Sequence, residues 1–474
     1  METRAGSNGA PSRVLGYVFR GDFPTPETIA KAYDDADLSR AVEAYKFFYP
    51  TVSGLAMYKG NLEAGLVENQ TFGVLETRPH HFMLTASSDT PYGPIPIDLA
   101  EGPMVVELPP GPLIASAMDI NQRWVADMGM PGPDGGAGGK HLLLPPGYQG
   151  PVPPDHHVWQ STAHHLLVGV RSLPVDGDLG AAIERIKTVK VRPLEPRAGW
   201  TEPRWIDLTE RIEDTTPLNF EVTLHFWEVL HEALESEPPH EAYRTQYGEL
   251  AVLGIVRGKP FAPDGRMRRI LQQGAEIANA QMRVEAFADR RPERIVWPDR
   301  QWEWIALRFE DTTFNAAEQA DLDARDKWFF QAFGASPAMF RRSADAGSVA
   351  WLGLRDAGGA YLDGEASYRL RVPLPVPATL FWSVTAYDAE TRCEMFTGQG
   401  RAALRSLFEL RDKLAGGGSL ELRFGPTPPA DPLERETQWI ETLPGKGWFA
   451  YFRIYGPEPA ALDGTWRPGD FERL

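Results

Sequence analysis

The sequence predicts a mainly β protein with some helix: two antiparallel β-sandwich modules, jelly-roll-like, joined by a helical region. Short apolar runs alternate with turn residues at close spacing, and 42 Pro and 45 Gly are spread between those runs. This punctuation is typical of sandwiches built from short strands. Between the two β regions the apolar residues recur at helical spacing, so the hydrophobic period changes from two residues to about 3.6 and back.

The change of period divides the chain into five segments. They are a flexible N-terminus (1–24), an N-terminal helical segment (25–70), the first β-sandwich module (71–192), a helical and linking region (193–360) and the second β-sandwich module (361–474). The helical segment begins at Thr25, a good N-cap that precedes proline and an acid in the first turn. Pro50 lacks the N–H that a helix interior needs, so we expect it to interrupt this helix.

The elements of each segment follow from the same patterns. In the first module, strands are expected at 80–86, 94–99, 103–108, 112–119, 140–145, 157–161 and 164–171, and a helix at 179–191. In the linking region, helices are expected at 217–234, 243–253, 264–287 and 321–333. In the second module, strands are expected at 366–372, 378–388, 419–424 and 449–455, and Asp363-Gly364 is a hairpin signal.

Composition excludes several classes of partner. Lys+Arg 48 against Asp+Glu 65 gives a net charge of −17, which repels nucleic-acid phosphates and anionic membrane surfaces. No apolar stretch approaches the roughly 18 residues of a membrane span. The single cysteine, Cys393, permits no intramolecular disulfide, and the N-terminus lacks a secretory pattern. We therefore expect a cytoplasmic protein.

Polar side chains interrupt the apolar runs of the first module at two places. Asp89 and Tyr92 lie in the turn Ser87–Gly93, and Asp119 ends a predicted strand. Paired acids divide acid and base roles when their environments separate their pKa values, so these three residues are the candidate catalytic groups. An equally weighted alternative is that Asp89 only caps its own turn. Because sandwich loops gather at the ends of a module, we expect the two places to converge on one cavity.

Polar and aromatic neighbours of these acids are the candidate substrate-binding groups. A strand end that carries Asp, Asn, Arg and Trp is costly to bury unless something pairs with it. The candidates are Asn121, Arg123, Trp124 and Asp127 in the first module, and Trp382, Tyr387 and Asp388 in the second. Arg123 would orient an anionic group, and Trp124 would wall the pocket.

Other chemistries lack the residues that they need. The run Gly135–Lys140 lacks the first glycine of a phosphate loop, and His141 follows it where serine or threonine is required. No G-x-S-x-G motif is present for a serine hydrolase.

Metal ligation is a further alternative. Three histidine pairs occur, His80-His81, His156-His157 and His164-His165. Neighbouring residues of a strand face opposite ways, so each pair offers at most one ligand to a given site. Glu228 and His231 resemble half of a helical di-iron motif, but Pro238-Pro239 forbids the helix of the second half. We therefore predict no bound metal and no cofactor.

The turn around Asp89 also resembles the signature of a known family. Asp89, Thr90 and Tyr92 match an Asn-x-Asp-Thr-x-Tyr pattern, in which Ser87 stands where asparagine is usual. Further matches are Asp119, the loop 132–139 and the run 143–148, then 368–373, 381–388, 452–457 and 462–468. The chain thus resembles, over roughly residues 40–474, the family in which domain of unknown function 1254 precedes domain of unknown function 1214. The resemblance implies this modular order and no particular chemistry.

These observations favour an enzyme, a hydrolase or lyase that acts on a small, partly apolar molecule in a pocket of the first β module. The first alternative is a non-catalytic ligand-binding or assembly protein that uses the same pocket for recognition. The second is a metal-dependent enzyme that uses the paired histidines. A small-molecule ligand is the expected partner, and a homo-oligomer is left open.

Overall fold

Helices and strands take similar shares of the chain, 29% and 28%. The computed structural model describes residues 12–211, 220–308, 312–344 and 347–474. The prediction of a mainly β protein is therefore corrected, since the chain is mixed α/β with many antiparallel sheets. The jelly-roll-like form of the two modules stays a prediction.

The strands and helices are numbered along the chain. The strands are β1 (Ser12–Val14), β2 (Tyr17–Arg20), β3 (Phe23–Pro24), β4 (Thr71–Val74), β5 (Tyr92–Asp98), β6 (Met104–Leu108), β7 (Leu113–Asp119), β8 (Trp124–Gly129), β9 (Gly139–Leu144), β10 (His157–Gln160), β11 (His165–Ser172), β12 (Lys190–Pro193), β13 (Arg204–Asp207), β14 (Trp302–Trp304), β15 (Ser348–Gly353), β16 (Tyr368–Leu374), β17 (Ala378–Asp388), β18 (Ala403–Arg405), β19 (Gly418–Gly425), β20 (Trp439–Glu441), β21 (Trp448–Pro457) and β22 (Phe471–Arg473). The helices are α1 (Pro26–Glu63), α2 (Leu179–Ile186), α3 (His225–Ser236), α4 (Arg244–Val252), α5 (Gly265–Phe287), α6 (Leu322–Gln331), α7 (Pro337–Phe340) and α8 (Pro432–Thr437).

The chain divides into two compact units. One comprises the described residues of Met1–Tyr49 and Asn219–Gln281, and the other those of Pro50–Leu218 and Met282–Leu474. The predicted flexible N-terminus is described from Ser12 onward, where β1, β2 and β3 form an antiparallel sheet. Residues 1–11 of that prediction lie outside the described residues.

The first unit is built mainly from helices, as the apolar spacing predicts. Tyr45 of α1 stacks on Phe226 of α3, with ring centroids 4.0 Å apart. A Cβ atom on Gly274 of α5 would lie 2.7 Å from the Cβ of Ala41. Glycine therefore permits the close approach of α5 to α1.

Helix α1 continues through Pro50, so the predicted interruption is wrong. Proline removes one helical hydrogen bond, but Pro50 and the neighbouring Val52 are both buried. The carbonyl of Pro50 also accepts a hydrogen bond from the Gln122 side chain at 3.0 Å. Packing and this external contact maintain the helix where local propensity opposes it.

The first β module consists of two four-stranded sheets around one core. The strand orders are β10-β9-β6-β12 and β5-β11-β7-β8. Met104 and Val106 of the first sheet and Ile97 and Leu166 of the second belong to the same apolar cluster. Pairing is antiparallel except between β9 and β10. Six of the seven strands predicted for this module are confirmed within one or two residues.

The remaining predicted strand, residues 80–86, is wrong, because that segment is irregular. Its backbone groups bind other loops and side chains instead of a ladder. The Thr85 N–H donates to the carbonyl of Arg392 at 2.8 Å, and Arg453 donates to the Thr85 carbonyl at 2.6 Å. The predicted helix 179–191 ends at Ile186, and the chain then enters strand β12.

The second β module also has two sheets. Their orders are β14-β15-β21-β17-β18 and β20-β19-β16-β22. The four predicted strands appear as β16, β17, β19 and β21. Strands β14 and β15 come from the segment expected to be helical and linking, and β15 pairs with β21 along its whole length.

None of the helices in the described ranges combines the length and the apolar character needed to cross a membrane.

Candidate functional site

One sheet of the second module has a polar face on the side away from its core. Side chains alternate along β17, so every second residue points the same way. The residues that enter the core are Trp382, Val384 and Ala386. Those on the opposite face are Ser383, Thr385 and Tyr387, and the register aligns Arg453 with Ser383 and Tyr451 with Thr385.

The turn that carries Asp89 lies against this polar face. We call residues 85–92 the motif turn. Asp89 is 1% exposed, and its Oδ2 accepts hydrogen bonds from Ser87 at 2.8 Å and Ser383 at 2.7 Å. The Ser87 hydroxyl also lies 2.9 Å from the phenol oxygen of Tyr455. The partners of Asp89 are thus hydroxyl groups of both β modules and not the backbone of its own turn.

Two arginines of the second module hold the backbone of the motif turn. Arg453 donates to the Thr85 carbonyl at 2.6 Å and to the Tyr387 phenol. Arg405 donates to the Ser88 carbonyl at 2.7 Å. Charge-assisted hydrogen bonds of this kind are stronger than neutral ones, so they fix the turn firmly on the sheet.

Arg171 of β11 closes the other side of the motif turn. It donates to Thr90 Oγ1 at 2.8 Å and to the Tyr455 phenol at 2.9 Å. Its guanidinium lies 4.8 Å from the ring centroid of Tyr92, a cation–π distance. Burial raises the pKa of the Tyr92 phenol, so this side chain stays neutral.

Glu394 lies beside this network and is 3% exposed. Both carboxylate oxygens are buried and neither makes a hydrogen bond of ordinary length, although the Ser88 hydroxyl lies near enough to favour the charged form. Burial raises the pKa of Glu394 to about 7; nearby Asp89 adds to the rise, while Ser88, Arg405 and Arg453 oppose it. Among the described residues, no other carboxylate has two buried oxygens without a partner.

A second buried polar atom near the motif turn lacks a partner. Thr385 is 0% exposed, and its hydroxyl oxygen makes no hydrogen bond within the described chain. Isolated buried polar groups are costly, and Thr385 lies on the same face of β17 as Ser383 and Tyr387, which contact the motif turn. The cluster around the motif turn therefore contains a carboxyl whose pKa burial raises to about 7, a buried hydroxyl, and Asp89, which two serine hydroxyls hold.

Asp119 is placed elsewhere and serves the turn between β7 and β8. Its Oδ1 accepts from the N–H groups of Asn121 at 2.9 Å and Arg123 at 3.0 Å. Its Oδ2 accepts from the Thr162 hydroxyl at 2.7 Å. Burial raises the pKa of Asp119 to about 6, against these hydrogen bonds.

The motif turn and Asp119 lie at opposite ends of one sheet. Tyr92 pairs with Arg171 on β11, whereas Asp119 pairs with Leu166. These two positions of β11 are separated by about 17 Å, since a strand rises roughly 3.3 Å per residue. The prediction that the two places converge on one cavity is therefore wrong.

Asn121, Arg123 and Trp124 lie near Asp119, at the turn between β7 and β8, and not at the motif turn. Asn121 accepts a hydrogen bond from Thr51 at 2.8 Å. Trp124 is 37% exposed, and its ring lies edge-on to Trp159 at 5.8 Å. Arg123 is partly exposed on the same turn.

The other predicted binding residues are dispersed. Asp127 accepts hydrogen bonds from the Ser116 hydroxyl at 2.7 Å and from the N–H of Ala338, in the first turn of α7, at 3.3 Å. Burial raises the pKa of Asp127. Trp382 stacks on Phe452 within the core of the second module. Among the residues proposed from the second module, only Tyr387 reaches the motif turn, through a hydrogen bond from its phenol to the carbonyl of Ala86.

Asp388 lies at the turn that follows β17 and accepts from the N–H groups of Glu390 and Thr391 at 2.6 and 3.2 Å. A shallow surface cavity of about 380 Å³ opens here, and Asp388 lines it together with Glu390 and Lys446. The cavity does not include Glu394.

Sequence reasoning missed Glu394, Ser383, Arg171, Arg405 and Arg453. One signal was available, because Arg453 is a lone charge within the apolar run 448–455, and a buried charge needs partners. The serine at 383 also follows the polar alternation of β17. Glu394 lies in a loop, where no periodicity points to it.

The histidine pairs are held in three different ways. His80 and His81 contact the carbonyls of Thr209 and Leu208 at 3.0 and 3.2 Å. His156 lies 3.0 Å from Asp155 Oδ1. Burial lowers the pKa of His81 to about 4.

His165 differs from these, because its ring lies near two carboxylates. Glu68, Asp98 and His165 are the one group of three metal-ligating side chains found in the described parts of the chain. They lie at the end of β5 and β11 opposite the motif turn.

Comparison with known proteins gives family and fold. The model for Protein of unknown function (DUF1254) matches residues 70–193, and that for Protein of unknown function (DUF1214) matches residues 347–459. No curated protein matches the chain.

Two solved structures resemble the chain over most of its length. A crystal structure of a protein from Vibrio parahaemolyticus has a TM-score of 0.57 and 18% identity, and the match covers 92% of this chain and 100% of that one. An uncharacterised protein from Burkholderia cenocepacia has a TM-score of 0.43 and 12% identity, with 94% and 96% covered. The first likeness, at 18% identity, shows the fold alone. From the two family matches, in the order in which they occur, the chain belongs to the two-module family of domain of unknown function 1254 followed by domain of unknown function 1214.

Proposed function

We propose that this protein is an enzyme, a lyase or hydrolase, that transfers a proton to or from a small, partly apolar molecule at the motif turn. Glu394 is the general acid and base. The observation that carries the proposal is the buried Glu394 carboxyl, neither oxygen of which makes a hydrogen bond of ordinary length. Leaving such a group unpaired costs about 1–3 kcal/mol or more, a cost that a bound substrate would remove.

The environment of Glu394 suits acid–base work. With its pKa raised to about 7 by burial, both protonation states are populated near neutral pH. General acids and bases are most effective when their pKa lies near the working pH. Asp89 is the neighbouring carboxylate, so the site pairs two acids in different environments, a common basis for dividing their roles.

The other groups of the site have supporting roles in this proposal. The Thr385 hydroxyl binds a polar atom of the substrate, since it has no partner of its own. Asp89 holds the hydroxyls of Ser87 and Ser383 in place. Arg405 and Arg453 stabilise negative charge as Glu394 ionises, since both favour its charged form. The substrate site proposed here lies where the motif turn meets the second β module, whereas the sequence predicts a pocket of the first β module.

A lyase fits these groups better than a serine hydrolase. The hydroxyls of Ser87 and Ser383 both donate to one oxygen of Asp89. A serine nucleophile needs a base that accepts its proton and a third group that orients the base. No histidine of the described chain is hydrogen-bonded to either serine. Proton abstraction by Glu394 requires neither a serine nucleophile nor a histidine base.

In the non-catalytic alternative, the same residues only join the motif turn to the second β module and line a binding site. Hydrogen bonds from Ser383, Arg405 and Arg453 already join the motif turn to the second module. In that case a ligand would bind without turnover.

The test is an activity screen with matched variants. The wild type, Glu394→Gln and Glu390→Gln would be assayed on esters, lactones, glycosides and hydroxy acids that can eliminate water. Glu390 is the matched control, because it is an exposed glutamate that is paired with Lys446. We expect turnover to fall at least about 100-fold in Glu394→Gln, the usual size of a general acid–base contribution, and to persist in Glu390→Gln.

Two outcomes would contradict the proposal. Equal turnover in Glu394→Gln and the wild type would exclude Glu394 as the acid–base group. Binding without turnover, lost in Glu394→Gln and seen as a ligand-dependent rise in melting temperature of the wild type, would favour the non-catalytic alternative.

A further inference from the structure

The end of β5 and β11 remote from the motif turn brings three ligating side chains together. Asp98 and His165 are directly paired across the antiparallel strands, so their side chains lie on the same face. Glu68, in the loop between α1 and β4, completes the group. One potential ligand atom from each residue lies within 4.8 Å of those of the other two.

We propose that Glu68, Asp98 and His165 bind a divalent first-row transition ion, of which zinc and manganese are the test cases. This inference is independent of the function proposed for Glu394, and it departs from the absence of metal predicted from the sequence. An imidazole with two carboxylates is a donor set suited to such ions. The three residues come from three separate segments, so the fold and not a local sequence motif assembles the site.

The spacing of His165 and Glu68 fits a shared ion better than direct contact. His165 Nε2 lies 3.7 Å from Glu68 Oε1, which is too long for a hydrogen bond. Two ligands bound tetrahedrally at about 2.0–2.2 Å from an ion lie roughly 3.3–3.5 Å apart. A small side-chain adjustment therefore brings both atoms to a common ion.

The loop that carries Glu68 is pinned to β5. Asn69 donates through its side-chain N–H to the Asp98 carbonyl at 2.8 Å and accepts from the Asp98 N–H at 3.3 Å. The N–H of Asn69 donates to the Pro96 carbonyl at 3.1 Å. Glu68 is therefore held beside the strand, which lowers the entropy lost when its carboxylate binds an ion.

Tyr58 orients two of the ligands from behind. Its hydroxyl donates to Glu68 Oε1 at 2.9 Å, and its ring lies edge-on to the His165 imidazole at 5.4 Å. Contacts of this kind set the direction of metal ligands in known sites. The side chains of His165 and Glu68 are 22% and 32% exposed, so an ion can enter and keep one or more water ligands.

The test measures metal binding directly on the full chain. Protein stripped of metal with a chelator would be titrated with zinc and with manganese at pH 7.5 by calorimetry. Cobalt substitution would add an absorption band that reports an imidazole–carboxylate site. We expect one ion per chain, with affinity reduced at least about tenfold in Asp98→Asn and in His165→Gln. His225→Gln is the control, because His225 also lies beside a glutamate, Glu228, on an exposed surface.

Circular dichroism would establish that each variant is folded. Absence of one-to-one binding of zinc and manganese by the folded wild type would overturn the proposal. Equal affinity of the wild type and His165→Gln would overturn it as well. Weak binding that falls as much in His225→Gln as in His165→Gln would show adsorption to surface histidines and would also contradict the site.

Discussion

Replacing Glu394 by glutamine removes the titrating carboxyl of the candidate site and keeps its size. Burial raises the pKa of Glu394 from its ordinary 4.5 to about 7, with Asp89 adding to the rise. Between pH 4.5 and about 7, the Glu394 carboxyl is ionised in the unfolded chain but protonated in the folded chain. The free energy of unfolding of the wild type must therefore fall as pH rises through this window, and it levels off above about 7.

The size of the effect follows from the two pKa values. A rise from 4.5 to about 7 corresponds to about 3 kcal/mol over the whole window. Between pH 5 and pH 8 the linkage relation gives about 2–3 kcal/mol, because some of the loss already occurs below pH 5. Glutamine does not titrate. The free energy of unfolding of Glu394→Gln minus that of the wild type should therefore be about 2–3 kcal/mol larger at pH 8 than at pH 5.

Urea unfolding followed by tryptophan fluorescence at pH 5, 6, 7 and 8 measures this difference. Asp119 also has a raised pKa, about 6, and titrates in part of the same window. It is present in both proteins, so its contribution cancels in the difference. Glu390→Gln is the control, because Lys446 lowers the pKa of Glu390 and the carboxyl is ionised throughout this range.

The refuting result is a stability difference between the wild type and Glu394→Gln that stays flat from pH 5 to pH 8. In that case the Glu394 carboxyl would ionise in the folded chain much as it does in water. The raised pKa and its use in catalysis would both be excluded.

Two further changes separate the site from its surroundings. Arg453→Gln should lower the free energy of unfolding by about 2–3 kcal/mol, because it removes charge-assisted hydrogen bonds to the Thr85 carbonyl and Tyr387. Urea unfolding at pH 7 measures this loss, and a change below about 0.5 kcal/mol would contradict it. Asp119→Ala should cost about 1–3 kcal/mol in the same assay through the lost acceptors of the β7–β8 turn, with turnover unchanged. If Asp119→Ala instead lost turnover without losing stability, Asp119 would have a catalytic or substrate-binding role.

Much of the fold could be predicted from local pattern, because strand period and turn residues act over short distances. The predicted runs 94–99, 112–119 and 378–388 appear as β5, β7 and β17. The failures come from tertiary contacts. Helix α1 continues through Pro50 because packing outweighs one lost hydrogen bond. Residues 80–86 form no strand, because loop backbone and the side chains of Arg453 and Tyr387 bind their backbone groups.

The candidate site was predictable only in part. Asp89, Tyr92 and Tyr387 stand out as polar groups in apolar surroundings, and the structure brings them to the same junction. The placement of Asp119 was not predictable, because it depends on the non-sequential strand order β5-β11-β7-β8. Glu394 becomes visible only when burial and the missing partners of its oxygens are known.

The central claim is that Glu394 carries an exchangeable proton near neutral pH. Infrared difference spectra of the wild type minus Glu394→Gln, taken from pH 4 to pH 9, test it most directly. We expect a protonated carboxyl band in the wild type at pH 5 that disappears with a midpoint near the pKa of about 7. Loss of that band with a midpoint below pH 5, or its absence at every pH, would contradict the claim.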